Sequence, residues 1–353
     1  MFLFIALTAC TSTPHCEGLS YTDFSQTREL KGTVIPLDTA LFRYPFRIRI
    51  QGDKAVVMDL HGTDYFCHAF SYPEFHYISS FGKRGESPDE QISVENIRWY
   101  GESLWSLDAN KSELTRFGCD LSGDSLFRQE AVNLDKDILR ALDFVMVDDS
   151  TFIIPDYSGD NRFCRVNRQG GLLYKMGAIL SSNEDAMKHA RPALAQAWRS
   201  FIDYNPRNGV LAAVTQLGEV LEVFNLKDST HVVRIGPHGE PEFKLSEGYG
   251  IPTGIMGFSD VQVTDSAIYA VFHGRSFKEI AQNARKSIQV DGGQYIYVFN
   301  LKGEPLCKYV LDHCIYGISV NEQKGTILAT DVNKDEPIIA VSYTHLTLPT
   351  IRL

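Results

Sequence analysis

The chain alternates apolar and polar residues in short bursts separated by turn formers. Phe46-Arg-Ile-Arg-Ile50 alternates, Gln51-Gly52-Asp53 turns, and Ala55-Val-Val-Met58 follows. Tyr65 to Phe70 and His76 to Phe81 complete a set of four. Period-two alternation bounded by Gly, Asp and Asn is the signature of strands joined by tight turns. A second set runs through Ile97 to Trp99, Ser103 to Leu107, Leu114 to Phe117 and Gln129 to Leu134. A third uses Phe144 to Val147, Phe152 to Ile154, Arg162 to Val166 and Leu172 to Met176. A fourth uses Phe201 to Tyr204, Val210 to Val214, Val220 to Asn225 and Val232 to Ile235. A fifth uses Ser259 to Val263, Ile268 to Phe272, Tyr295 to Asn300 and Leu306 to Val310. The sixth supplies only three: Tyr316 to Val320, Thr326 to Ala329 and Pro337 to Ala340.

The sets recur roughly every 45 to 50 residues, the spacing of propeller blades. A four-stranded sheet of this kind hides its apolar face only against neighbours, and a ring satisfies every copy. The pattern therefore predicts an all-β fold: a six-bladed β-propeller of four-stranded blades over residues 28–340. Glu29 to Leu37 is a spare strand, predicted to complete the sixth blade and close the ring by pairing the two chain ends. Two segments break the rhythm. Ser182 to Trp198 opens on cap residues and is rich in helix formers, with Pro192 interrupting it, and Ser276 to Ser287 is similar. Both are predicted as short helices or long loops on one rim, where a rigid scaffold often carries binding residues.

The two ends read differently. Met1 to Ala9 is almost wholly apolar and leads through Leu7-Thr8-Ala9 to Cys10, followed by a polar stretch. This is the form of a lipoprotein signal, and the segment is too short to span a bilayer, which takes ~20 apolar residues. Residues 1–9 are read as the signal, Cys10 as the lipidated residue and residues 10–27 as a tether. No Lys or Arg precedes the apolar run, which leaves open a start upstream of Met1. Residues 341–353 read like one frame of a sequencing adapter and are set aside as a non-native tail.

Composition excludes some functions. Net charge is -10, from 34 Lys and Arg against 44 Asp and Glu. Phosphate backbones need clustered cations, so nucleic acid is not expected as a partner. None of the seven cysteines forms a C-x-x-C pair, which removes zinc and thioredoxin-type readings. Cys67, Cys119 and Cys164 sit within strand patterns and are expected as small buried hydrophobes. Spacing alone does not establish a bridge between Cys307 and Cys314.

Several motifs converge on one family. Phe81-Gly-Lys-Arg-Gly-Glu-Ser-Pro-Asp-Glu90 resembles the blade-ending turn of six-bladed propeller lipoproteins of Bacteroides-type bacteria, with Ser87 and Asp89 in place of glycines. Ile235-Gly-Pro-His-Gly-Glu-Pro-Glu-Phe243 is similar to a second copy of it. Val261 to Ser276 resembles the fifth-blade hairpin of the TolB-like (NHL-like) propeller group, and Ile318 to Ala329 its closing blade. The resemblance implies an envelope lipoprotein anchored to the outer membrane, facing the periplasm or the surface. It implies no activity, because a fold does not establish chemistry.

Catalytic signatures are missing. There is no H-E-x-x-H, G-x-S-x-G, phosphate loop or G-x-G-x-x-G. No catalytic residue, cofactor or metal is assigned. Asp331-Val-Asn333-Lys-Asp335-Glu336 places oxygens alternately as a calcium loop does, but lacks its glycine, and reads as a turn. Asp156 to Asn161 reads as a turn as well. His273-Gly-Arg275 follows an apolar strand and emerges at a ring face, where Arg275 is placed to grip a carboxylate or phosphate, or else a neighbouring carbonyl. Arg98 and Arg191 are the other candidate ligand-binding residues, and Trp99 reads as core. Two functions follow. One is a monomeric, non-catalytic binding or scaffold module for a peptide, glycan or protein. The alternative is a propeller hydrolase or lyase with a metal in the channel, which requires Asp156, Asp160, His273 and Asp331 to converge.

Overall fold

The computed structural model describes residues 17–37, 42–119, 125–286 and 290–343. Six antiparallel sheets follow one another along the chain. Blade 1 is Pro45–Gln51, Lys54–Asp59, Tyr65–Ser71 and Tyr77–Lys83. Blade 2 is Val94–Tyr100, Ser103–Asp108, Glu113–Cys119 and Leu126–Asn133, and blade 3 is Val145–Asp148, Thr151–Pro155, Phe163–Asn167 and Leu172–Met176. Blade 4 is Ser200–Asn205, Val210–Thr215, Val220–Asn225 and Thr230–Ile235. Blade 5 is Phe258–Val263, Ala267–Phe272, Gly293–Asn300 and Pro305–Ile315. Blade 6 takes Ile318–Asn321, Thr326–Thr330 and Ile338–Ser342 from the C-terminal part.

Aromatic pairs lock the blades to each other. Phe81 meets Phe117 at 5.0 Å, Trp105 meets Phe152 at 5.5 Å and Phe163 meets Phe224 at 5.0 Å, each pair from adjacent blades. Such edge-on or tilted contacts add to the hydrophobic burial that joins the sheets.

The N-terminal segment does more than close the ring. Three strands run along three consecutive blades. β1 (Glu17–Ser20) pairs in parallel with the outer strand of blade 4, and β2 (Gln26–Leu30) with that of blade 5. β3 (Gly32–Ile35) is the fourth strand of blade 6, antiparallel to Ile338–Ser342. Ring closure is thus as expected, but the single spare strand is two. Gly32 makes the step between blades: a Cβ there would run into the Ile339 side chain.

The expected tether is also shorter from its C-terminal side. Residues 17–27 belong to the fold because Tyr21 and Phe24 are buried. The Phe24 ring lies 4.5 Å from Tyr297, and Tyr21 donates to Glu219 at 2.7 Å. At the other end, Val341 pairs with both Gly32 and Ile327, and Tyr343 packs 5.7 Å from Tyr309, so the last strand extends past the expected boundary at residue 340. Cys10 and residues 344–353 lie outside the described residues. Cys67 and Cys164 are buried, Cys119 is half-buried, and Cys307 and Cys314 are unbridged.

Candidate functional site

Each blade's strands are antiparallel, so two kinds of connection emerge on one face. They are the links leading into an inner strand and the loops between second and third strands. Among the described residues, every helix and the extra hairpin fall in one of them. Helices α1 (Glu184–His189) and α2 (Arg191–Ala197) link blades 3 and 4. The hairpin Phe243–Ser246/Tyr249–Pro252 links blades 4 and 5. Helix α3 (Phe277–Arg285) joins the second and third strands of blade 5. Asn183 caps α1 by accepting from the Ala186 amide. Ser276 and Glu279 form a reciprocal capping box at α3, the arrangement that makes a short exposed helix persist.

The channel beneath this face is filled by charge. Arg47, Arg98, Asp143 and Asp260 are buried. Asp260 takes Arg49 at 3.0 and 3.1 Å and lies 3.5 Å from Arg47. Arg98 bonds Asp203 at 2.7 Å and Asp143 at 3.1 Å. The same carboxylates reach backbone amides of the next inner strand: Asp143 to Ile202 at 2.9 Å, Asp203 to Val263 at 2.7 Å and Asp260 to Ile318 at 2.9 Å. Three Asp therefore stitch blades 3 to 6 around the axis, and three Arg balance them. Burial alone would raise the Asp260 pKa, but the Arg47 and Arg49 guanidiniums overcome it and hold the carboxyl below its ordinary range.

Two cavities open on the helix-bearing face. The larger, 600 Å³, lies under α3, walled by Tyr44, His273, Tyr316, Phe277, Ile280 and Ala284. The smaller, 280 Å³, lies between α2, the hairpin and the foot of α3. Met256 and Phe277 line both and join them into one groove. The larger cavity falls in the size range of ligand sites. Phe277, Ile280 and Ala284, one apolar stripe of α3 at helical spacing, lie over it, and no residue of α3 is buried. Exposed Leu245, Tyr249 and Ile251 of the hairpin and Val290 beyond α3 add apolar surface on the same face.

The sequence-predicted residues fall in three separate places. His273 and Arg275 come together at the larger cavity. His273 is buried edge-on to Tyr316, its Nε2 has no hydrogen-bond partner among the described residues, and burial, helped by Arg275, brings its pKa down to about 4, so the ring is neutral. Arg275 does not offer itself to an anion: its guanidinium donates to the carbonyls of Val290 and Gly292. Arg98 is likewise committed, inside the channel, to carboxylates rather than to a ligand. Arg191 lies apart on α2, bonded to the Met187 carbonyl and Asp160. Trp99 is half-buried and donates to the Arg49 carbonyl at 3.3 Å.

The four groups of the metal reading do not converge. Asp156 is held by Ser158 and Lys175, Asp160 by Arg191, and Asp331 by the Asn333 amides. Among the described residues, no set of three His, Cys, Asp or Glu side chains is placed to share a metal. Sequence reasoning missed Arg47, Arg49, Asp143, Asp203 and Asp260 in the channel, and Arg140 and Arg199 at the smaller cavity. The Arg-Ile-Arg alternation was the available signal for the first two.

With this geometry established, three comparisons bear on the chain. The model of the TolB-like 6-blade propeller-like family matches residues 23–323. A putative exported protein of Bacteroides fragilis superposes with a TM-score of 0.56 at 10% identity, over 92% of this chain and 99% of its own. A DUF4221-family protein of Bacteroides vulgatus superposes with a TM-score of 0.56 at 10% identity, over 90% of this chain and 98% of its own. At such identity the two structures establish a shared fold. No curated protein sequence matches.

Proposed function

The chain belongs to the TolB-like 6-blade propeller-like family, and on that premise we propose that it is an exported cell-envelope protein whose helix-bearing face is a non-catalytic binding module for a peptide, glycan or protein partner. Lipid on Cys10 would hold it to the outer membrane. The observation that carries the reading is the groove: two joined cavities beneath a capped amphipathic helix whose apolar stripe is only partly covered, Phe277 and Ile280 being half-buried and Ala284 exposed. At the larger cavity the Arg275 guanidinium is taken up by the Val290 and Gly292 carbonyls, which suits recognition there by shape and apolar contact over charge chemistry. The description of one similar structure as a putative exported protein agrees with an envelope location.

A reporter dye tests the groove. Anilinonaphthalene sulfonate, an apolar ring system with one anion, should bind the folded protein saturably at one site. Ala284→Trp projects an indole into the larger cavity from an exposed helix position, so it should weaken that binding about tenfold or more while leaving the melting temperature in place. Unchanged dye affinity in the variant would remove the groove from consideration. Cys10→Ser separately tests the anchor: the protein should move from the membrane fraction to the soluble fraction of the envelope, because a lipid chain is then absent. Retention in the membrane fraction would refute anchoring through Cys10.

A further inference from the structure

We infer that the smaller cavity of the groove receives the free carboxylate of a peptide that ends in an apolar residue. The inference rests on the reading of this face as a binding module and names what it binds. In a chain of net charge -10, this cavity is lined by Arg140 and Arg199 and by no Asp or Glu. Arg199 is partly neutralised by Glu95 at 3.2 Å. Arg140 is not: its guanidinium has no partner among the described residues.

Arg140 also sits in the left-handed region, at φ 51°. A non-glycine residue there carries conformational strain, and such strain gathers where a side chain must be presented. Around the two cations, Leu142, Leu217, Met256 and Phe277 supply an apolar wall. A cavity with apolar sides and an unpaired guanidinium at its rim suits an apolar side chain next to a carboxylate, which Arg grips through paired N–H groups.

A fatty acid shares that chemistry, so the rest of the wall decides between the two sources. Gln196 and Gln216 line the same cavity, and neither amide side chain has a partner among the described residues. A primary amide offers both a donor and an acceptor, which matches a peptide backbone and has no counterpart in an alkyl chain. Through Met256 and Phe277, the groove then leads the preceding residue under the α3 stripe. Tyr157, on the wall, keeps a buried hydroxyl that has no hydrogen-bond partner among the described residues, a further polar group left for something to satisfy.

The test uses fluorescein-labelled hexapeptides ending in Leu, Phe or Met, each as the free acid and as the C-terminal amide, with the full-length protein and anisotropy as the readout. The acids should bind about tenfold or more tightly than the amides. Arg140→Gln should bring that ratio close to one, and Arg140→Lys should keep part of it. Ala284→Trp should weaken acid and amide together. If acid and amide bind equally and both weaken in Ala284→Trp, the groove stands and the carboxylate assignment falls. If peptides bind but ignore Ala284→Trp, the reading of the groove falls and takes this inference with it. If no hexapeptide binds, or decanoate alone occupies the groove, the peptide assignment is overturned.

Discussion

Chains that begin at residue 38 are expected to form no cooperatively folded monomer. The segment they lack contains β1, β2 and β3, which run along blades 4, 5 and 6. Two of its aromatics, Tyr21 and Phe24, are buried, and deleting one buried aromatic side chain typically costs ~3–5 kcal/mol. Two such losses alone approach the ~5–15 kcal/mol that separates a folded protein from its unfolded chain. β3 adds a larger structural loss. Without it the strand Ile338–Ser342 becomes an open edge that carries Ile339 and Val341, and an unpaired apolar edge pairs with other chains. A series separates the contributions. A start at residue 23 loses β1 and Tyr21, a start at 32 also loses β2 and Phe24, and a start at 38 opens the ring. Urea melts and size exclusion should show falling midpoints over the first two steps and aggregation at the third. A monomer starting at 38 with a full-length melting curve would mean that the belt decorates a ring already closed without it.

That belt shows where sequence pattern is informative and where it stops. Strand bursts such as Ala55 to Met58 and Val210 to Val214 are read directly, because a strand buried on both faces leaves a short continuous apolar run bounded by turn residues. The closing role of the N-terminal segment follows from arithmetic, since one blade is a strand short. The division into β2 and β3 does not. It depends on which neighbour each short run pairs with, and a parallel edge addition such as Arg28 opposite Tyr309 leaves no local turn signal. Tyr21 and Phe24 look like scattered aromatics in a polar stretch, and only the surface of blade 5 makes them core.

The site was harder to read for a related reason. In Phe46-Arg-Ile-Arg-Ile50 the polar positions look like a solvent face. In the ring that face is the channel wall, so Arg47 is completely buried. Sequence alternation reports two faces but not which one meets water. The helix-bearing rim is legible as insertions that break the strand rhythm, and His273, which ends an apolar strand, lies at the cavity on that face. Of the two readings of Arg275 the structure takes the neighbouring carbonyl, and Arg98 goes to channel carboxylates that no local pattern reports: it finds Asp203, 105 residues away. Arg140 carries no signal at all, since its exposure and backbone angle arise only when the link between blades 2 and 3 is folded.

Asp260→Ala is expected to be the most damaging single substitution in the channel. The carboxylate is 1% exposed and is shared by Arg49, Arg47 and the Ile318 amide, so it ties inner strands of blades 1, 5 and 6. Removing it leaves Arg47 buried beside no carboxylate of its own, and breaking a buried pair from one side costs ~3–5 kcal/mol. A drop in melting temperature of about 10 °C is expected for a chain of this size. Asp260→Asn keeps an oxygen acceptor for the Ile318 amide and should lose less. The pH dependence has a definite sign. The folded-state pKa of Asp260 is depressed, so its stabilisation is fully present above the unfolded value of ~3.9 and is lost as pH falls through the lower folded value. Below about pH 4, the wild type should therefore lose stability more steeply than Asp260→Ala, and the two curves should draw together at the acid end. Parallel curves across that range, or a loss under ~1 kcal/mol in Asp260→Ala, would show that water in the channel replaces the carboxylate and that the three arginines are solvated there.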